Sequence, residues 1–192
     1  AYAQQHFFLP QRIRDPFGQV STVRYDAYDL LVEETCDPLG NKTTAGERSV
    51  AGKLTLRGND YRVLSQRLVM DPNRNRSAVA FDAVGLVVGV AVMGKPEEQL
   101  GDSLEGFLSD VDDAAAQAQI LAPLAGPQLL LARASARLIY DLQAYSRTRG
   151  DSQPQPAVVY TMARETRDSE LSRGQSTQIQ HSFSYSDGFG RE

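Results

Sequence analysis

The sequence has little of what metal and redox sites need. It carries one cysteine, Cys36, two histidines, His6 and His181, and no tryptophan. A single cysteine excludes an intramolecular disulfide and a cysteine-based zinc site within the chain. Cys36 has no basic neighbour in the sequence, so we interpret it as an ordinary thiol and not as a reactive one.

Long apolar runs and an excess of positive charge are also lacking. The longest apolar run, residues 84–93, is interrupted by glycines and is much shorter than the roughly 20 residues that a membrane-spanning helix needs. The net charge is −4, from 20 basic and 24 acidic residues, which argues against a nucleic-acid partner. Apolar residues make up 41% of the 192 positions and charged residues 23%, which is ordinary for a folded protein.

What the sequence does contain is an internal repeat. The segments that begin at Asp15 and Asp71 align without a gap over 18 residues, and aspartate, proline, serine, valine, alanine and leucine recur at equivalent positions. Tyr25 aligns with Phe81, and a third copy of the opening begins at Asp37. Degenerate copies of the second half occur at Tyr140-Asp141 and at residues 185–191. A repeat of this kind predicts one supersecondary unit stacked several times.

Each repeat predicts a β-hairpin. Asp-Pro-x-Gly is a turn sequence, because aspartate accepts backbone hydrogen bonds, proline presets φ, and glycine adopts positive φ. An alternating run follows, as in residues 20–25, and then a second turn, Tyr-Asp-x-x-Gly or Asp. Recurring carboxylates at Asp15, Asp37 and Asp71 could also serve acid–base catalysis, but the turn role is favoured.

The aromatic-aspartate pairs have two interpretations. Tyr25-Asp26, Phe81-Asp82 and Tyr140-Asp141 could stack on a carbohydrate and bind its hydroxyls. Repetition favours a packing role instead, since a stacked unit repeats its aromatic residue to bury it. The glycine-rich segment 85–94 lacks the spacing of a nucleotide-binding loop.

The remaining segments continue the strand pattern, except for one stretch in which the apolar residues change from strand spacing to helical spacing. Residues 42–58 predict an enlarged hairpin, and Tyr61–Met70 a strand. Ser109 or Asp110 is the expected N-cap of a short helix, and Pro127 could open a second helical turn. The apolar stripe of the first helix is predicted at Val111, Ala115, Ala118 and Ala122.

Strands are expected to return after the helical segment. They are predicted over 134–140 and 158–165, with a polar loop at 150–156 and a charged turn at 167–174. The final alternation places Ile179, His181, Phe183 and Tyr185 on one face, which is expected to be buried, while the opposite face meets solvent. In this row His181 is interpreted as an inward-facing residue and not as a ligand or base. The chain stops inside a repeat-like pattern and begins without a signal-peptide pattern, so we expect a piece of a longer protein.

These motifs carry a resemblance. Asp-Pro-Phe-Gly, Tyr-Asp-Ala-Tyr-Asp and Asp-Pro-Leu-Gly-Asn in residues 15–41 resemble the YD repeat of bacterial RHS proteins and animal teneurins. Further phrases, at residues 9–18, 59–64, 80–85, 92–95 and 183–192, resemble the B component of bacterial insecticidal toxin complexes. The likeness covers nearly the whole chain and is weakest around residues 95–133.

The resemblance implies a mainly β fold of stacked antiparallel hairpins. Residues 1–192 would be a fragment of a YD-repeat shell, with tandem hairpins in 1–94, a helical insert in 95–133 and further hairpin strands in 134–192. Such a shell encloses a toxic polypeptide and helps to deliver it through a channel-forming subunit. We therefore expect a secreted or bacterial surface-associated structural protein that is not an enzyme. We predict no catalytic, cofactor-binding or metal-binding residues and no nucleic-acid partner.

The resemblance does not imply self-cleavage for this chain. RHS proteins often self-cleave at aspartates near a late Asp-Pro-x-Gly turn, but the turns here come early, so this role is not transferred to Asp15, Asp37 or Asp71.

The alternative function is a carbohydrate- or receptor-binding module of a secreted toxin, with the insert as the recognition element. The expected partners are the rest of the shell, the enclosed polypeptide and the channel subunit. Unpaired end strands could also make the fragment self-associate.

Overall fold

The computed structural model describes residues 2–186, which divide into two compact units. Unit 1 comprises residues 2–79 and 93–100, and unit 2 comprises residues 80–92 and 101–186. The mainly β fold with a few short helices, predicted from the sequence, is confirmed. No helix in residues 2–186 is long and apolar enough to cross a membrane.

Unit 1 is an antiparallel arrangement of short strands. Its elements are α1 Tyr2–Gln5, β1 Arg12–Arg14, β2 Val20–Tyr25, β3 Val32–Cys36, β4 Lys42–Arg48, β5 Leu54–Arg57, β6 Asn59–Asp60, β7 Ser65–Gln66, β8 Leu68–Met70 and β9 Arg76–Phe81. The last strand, β9, runs across the unit boundary. The strands follow the order β1-β2-β3-β4-β8-β9, with β5 paired to β4 and β6 paired to β7. The repeat is confirmed locally, because β2 and β9 occupy equivalent positions in the two aligned segments.

Residues 42–70 contain one confirmed prediction and one wrong one. The enlarged hairpin over 42–58 forms, with β4 and β5 as its strands. The strand predicted over Tyr61–Met70 does not form, because residues 61–64 make a tight turn in which Leu64 has a φ of 50°. The carboxylate of Asp60 accepts the amide of Arg62 at 2.9 Å and so favours that turn. Only the three residues of β8 then lead into the Asp71 turn.

Unit 2 packs short helices on four antiparallel strands. Its elements are β10 Val87–Met93, α2 Asp113–Leu121, α3 Pro127–Leu131, β11 Ala136–Asp141, α4 Ala144–Thr148, β12 Ala157–Arg164, a 3₁₀ turn at Asp168–Glu170 and β13 Ile179–Ser186. The strand order is β10-β11-β12-β13. The core contains Ala116, Leu131, Ala134, Ile139, Tyr160 and Met162. The loop predicted at 150–156 and the strand predicted at 158–165 are confirmed within one residue.

The first helix of the insert starts later and faces differently than predicted. Its N-cap is Asp112, which accepts the amide of Ala115 at 2.9 Å, and not Ser109 or Asp110. Asp110 instead accepts the amide of Ala83, which holds it outside the helix. The buried residues of α2 are Ala116 and Gln119.

The stripe predicted at Val111, Ala115, Ala118 and Ala122 is only partly right, since Val111 packs against the core and Ala115 is half-buried. Ala118 and Ala122 are exposed, because α2 turns the face that carries Ala116 toward the strands. The second helical turn, predicted to open at Pro127, is confirmed as α3.

The prediction that one face of the last strand is buried is only half right. Ile179 and His181 are half-buried, but Phe183 is 37% exposed and Tyr185 is 52% exposed. The helical segment covers this face at Tyr160, whose hydroxyl donates to the carbonyl of Pro123 at 3.2 Å. The aromatic row beyond Tyr160 continues toward solvent.

Candidate functional site

The repeated aspartates build turns of one geometry. Oδ1 of Asp15 accepts the amides of Phe17 and Gln19 at 2.9 and 2.8 Å. Asp26, Asp37 and Asp82 accept the amides two and four residues ahead in the same way. Oδ1 of Asp71 accepts the amide of Asn75 at 2.8 Å. The turn role predicted for Asp15, Asp37 and Asp71 is confirmed.

The fourth residue of each turn has positive φ, as the sequence pattern requires. The residues are Gly18 at 85°, Asp29 at 56°, Gly40 at 88°, Arg74 at 70° and Gly85 at 93°. Glycine adopts this conformation without steric cost, aspartate tolerates it, and an arginine there is strained. The Arg74 position therefore depends on contacts around it.

The Asp71 turn has such a contact in a buried arginine. Arg48 is 5% exposed, and its guanidinium donates to the carbonyl of Asp71 at 2.5 Å and to that of Met70 at 3.3 Å. It also donates to Oγ1 of Thr44 at 3.0 Å. Burial lowers the pKa of Arg48. Arg48 thus holds the Asp71 turn from the side of β4.

Two turn aspartates have lowered pKa values. At Asp37 the side-chain and backbone hydrogen bonds of Asn41 lower the pKa, and Nδ2 of Asn41 lies 2.7 Å from Oδ2. At Asp26 burial raises the pKa, but the amide of Leu30, the hydroxyl of Tyr61 and other turn donors outweigh it. These hydrogen bonds favour the charged form, so both aspartates are poor general acids near neutral pH.

The aromatic residues of the repeat lie in strands. Tyr25 and Phe81 occupy the ends of β2 and β9, and both are half-buried. Tyr140 is half-buried in β11, and its hydroxyl donates to the carbonyl of Val87 at 2.8 Å. This placement agrees with the packing interpretation. Among residues 2–186, the fully buried aromatic residue is Tyr160, which lies outside the repeat.

His181 is part of an aromatic row on β12 and β13. Its Nδ1 lies 2.6 Å from the hydroxyl oxygen of Tyr160, and the two rings are stacked with centroids 5.9 Å apart. Phe183 stacks on Tyr160 at 4.8 Å, and Tyr185 follows at 6.4 Å. The partner of His181 is therefore an inward-facing tyrosine, as its predicted inward position implies.

The other residues weighed in the sequence have structural surroundings. Cys36 is half-buried at the end of β3, with Sγ 3.5 Å from the carbonyl of Asp37. The glycine-rich segment 85–94 forms β10 and not a nucleotide-binding loop. Within residues 2–186, no group of three or more histidine, cysteine, aspartate or glutamate side chains could hold a metal ion. The closing motif at 183–192 is described only as far as Ser186, and its remainder lies outside the described residues.

Two buried charged residues of unit 2 were not singled out from the sequence. Asp102 is 7% exposed, and Arg137 is 2% exposed. Arg137 alternates with Ile139 along β11, and this alternation is a signal that could have placed it on the inner face. Asp102 has no such signal, because it lies in an irregular segment and its partners are distant in sequence.

Comparison with known proteins finds likeness in solved structures alone. No family model and no curated protein sequence matches the chain. A crystal structure of TcdB2-TccC3 superposes with a TM-score of 0.65 at 21% identity, over 97% of this chain and 8% of the other. A TcdB2-TccC3-Cdc42 crystal structure gives 0.64 at 17% identity, over 97% of this chain and 10% of the other.

A third solved structure extends the likeness to an assembled toxin. The Photorhabdus luminescens Tc holotoxin pore gives a TM-score of 0.56 at 16% identity, over 90% of this chain and 9% of the other. The chain thus spans about a tenth or less of the length of these solved chains. The fold predicted from the YD-repeat resemblance is confirmed as the fold of a segment of toxin-complex chains.

Proposed function

We propose that this chain is a structural segment of a YD-repeat shell in a bacterial toxin complex. The shell encloses a toxic polypeptide and helps to deliver it through a channel-forming subunit, and the protein is secreted or associated with the bacterial surface. The rest of the shell, the enclosed polypeptide and the channel subunit are its partners. The segment acts by containment and not by catalysis.

The recurring turn geometry is the observation that carries the proposal. In five aspartate turns that join antiparallel strands, Oδ1 accepts the amide four residues ahead, and positive φ falls at the same position. A unit that repeats its turn can stack without a fixed limit, and each added hairpin buries the apolar face of the one before it. Stacking of this kind makes an extended wall.

The ends of the described sheet segments support the same proposal. Among residues 2–186, β1 pairs with β2 alone and β13 pairs with β12 alone. β13 is eight residues long, and its exposed Phe183 and Tyr185 continue the row that starts at the buried Tyr160. A long strand with aromatic side chains and, among the described residues, one unpaired edge is suited to receive a further strand.

Proteolytic protection tests the proposal in the full-length protein. A protease-sensitive tag on the enclosed polypeptide is expected to resist digestion while the wall is intact. Gly58→Ala is expected to open the wall, because a Cβ there would lie 2.2 Å from the carbonyl oxygen of Leu68. Gly150→Ala is the matched control, since its added Cβ meets no atom within 4 Å.

The two outcomes are distinct. Protection in the wild type and in Gly150→Ala, with cleavage in Gly58→Ala, supports containment. Equal cleavage of the tag in all three proteins refutes it. The alternative of a carbohydrate- or receptor-binding module remains a prediction, and one cleft in unit 2 bears on it.

A further inference from the structure

Unit 2 carries a cleft beside the first turn of α2. It consists of two adjoining depressions of about 140 and 250 Å³ that share Asp82, Asp113, Ala116 and Tyr140 as lining residues. We call the pair the α2 cleft. It lies against the helical segment of the insert, the Asp82 turn and β11, and it is not used by the proposed wall function.

The polar lining of the α2 cleft contains both signs of charge. Asp82 and Asp113 line both depressions, and Asp110 lines the smaller one. Asp141 lines the larger one and forms an ion pair with Arg147, whose pKa it raises. Guanidinium groups in the lining would therefore repel a free cation, and the carboxylates would repel a free anion.

Arg137 forms part of the wall of the smaller depression. Its Nη1 and Nη2 donate to the carbonyls of Leu130 and Leu108 at 2.6 and 2.7 Å, and its guanidinium lies 4.4 Å from the centre of the Phe107 ring. Its Nε is buried and has no hydrogen-bond partner among the described residues. Solvent does not reach this Nε, so Arg137 shapes the wall of the depression and offers no donor to a ligand within it.

We propose that the α2 cleft binds a single neutral sugar ring. Each sugar hydroxyl can donate to a carboxylate such as Asp113 and accept from the side-chain amide of Gln117 or Gln143, so a sugar satisfies donors and acceptors together. Leu86 and the Tyr140 side chain provide apolar lining for the C–H face of the ring. Each depression is smaller than the roughly 300–1,000 Å³ typical of pockets for drug-sized ligands, which suits a monosaccharide.

Amide chemical-shift titration of the 192-residue chain tests this proposal. Glucose, galactose and N-acetylglucosamine are each added up to tens of millimolar, with arginine and inorganic phosphate as charged probes. At least one sugar is expected to give saturable shifts at Asp82, Gln117 and Gln143, with a dissociation constant in the millimolar range. Arginine and phosphate are expected to give no saturable shift at those amides.

A pair of glutamine variants locates the site. Gln117 lines the larger depression on α2, and Gln128 is exposed on α3 outside it. Gln117→Ala is expected to weaken sugar binding by roughly 2- to 10-fold, the effect of one lost hydrogen bond, while Gln128→Ala leaves it unchanged. Both variants keep α-helical propensity, and their amide spectra report whether the fold is intact.

Three results would overturn the proposal: no saturable shift with any of the three sugars, equal binding by the two glutamine variants, or saturation by arginine or phosphate instead of sugar. None of these results bears on containment, since the protease-protection experiment has its own readout. Sugar binding would make the insert a recognition element on a wall segment.

Discussion

Asp102 connects four parts of unit 2, and we expect its replacement by alanine to destabilise that unit strongly. Its Oδ2 accepts the hydroxyl of Ser135 at 2.5 Å, and its Oδ1 accepts the amide of Asp168 at 2.8 Å. Nη1 of Arg164 lies 3.5 Å from Oδ1, and both side chains are 4% exposed. The amide of Asp102 also donates to Val92.

The size of the effect follows from what Asp102→Ala leaves behind. Removal of one partner of a buried ion pair costs about 3–5 kcal/mol, because the other charge stays buried. Arg164 keeps the carboxylate of Asp168 at 3.4 Å and the carbonyls of Ala132 and Ala134 at 2.7 Å each. We therefore expect the lower limit, about 3 kcal/mol, which corresponds to a Tm decrease of roughly 6–12 °C for a chain of this size.

Scanning calorimetry is the suitable assay, because it separates the two units if they unfold at different temperatures. Ser135→Ala removes the hydroxyl that lies between Asp102 and the amide of Val92, and it is expected to cost about 1–2 kcal/mol. Asp151→Ala, in an exposed loop, is the control and is expected to change stability by less than about 0.5 kcal/mol. A loss below about 1 kcal/mol for Asp102→Ala would refute the assignment of Asp102 as a buried connection.

Three further predictions concern unit 1, acid stability and the last strand. Gly46→Ala is expected to cost roughly 4 kcal/mol or more in chemical denaturation, because its Cβ would lie 2.0 Å from a main-chain oxygen of β5. Gly18→Ala, with positive φ but open space, should cost only about 1–2 kcal/mol, and equal costs would contradict the clash. The folded-state pKa of Asp26 is below its ordinary 3.8, so its stabilisation is present above pH 3.8 and lost as the pH falls through the folded value. Asp26→Asn should therefore flatten the decline of Tm in acid, and an unchanged decline would exclude Asp26 as its source. Light scattering at high concentration is expected to show oligomers of the 21.1 kDa chain, which a Phe183→Lys, Tyr185→Lys double variant reduces to monomers. A monodisperse wild-type monomer would argue against edge pairing.

The turns and hairpins could be predicted from the sequence with good accuracy. Asp15, Asp37 and Asp71 make their hydrogen bonds to residues two to four positions ahead, so the chemistry is complete within one short segment. The strand equivalent to β2 could be placed at β9 because the two segments share that local pattern. The turn at 61–64 escaped prediction, since an alternating apolar run obscured the Asp60 turn signal.

The burial of faces could not be predicted in the same way. The second half of the α2 stripe was misassigned because a helix with many alanines has no strong apolar side, and its orientation depends on the strands that it meets. β13 alternates cleanly, yet Phe183 and Tyr185 are exposed because alternation does not show how far a covering layer extends. Several residues of the α2 cleft were noted from the sequence for other reasons, namely Asp82, Ser109, Asp110, Val111, Tyr140 and Asp141, but nothing in the sequence placed them at one site.

The sequence by itself determined the repeating turn, the hairpin that it closes and the resemblance to YD-repeat proteins, because backbone preferences and aspartate caps act over about five residues. The tertiary structure alone decided the partners of Asp102, which lie 33 and 66 residues away, and the bonding of Arg137 to the carbonyls of Leu108 and Leu130. Those contacts form only when distant segments pack together, and no local pattern in the chain encodes which segments meet.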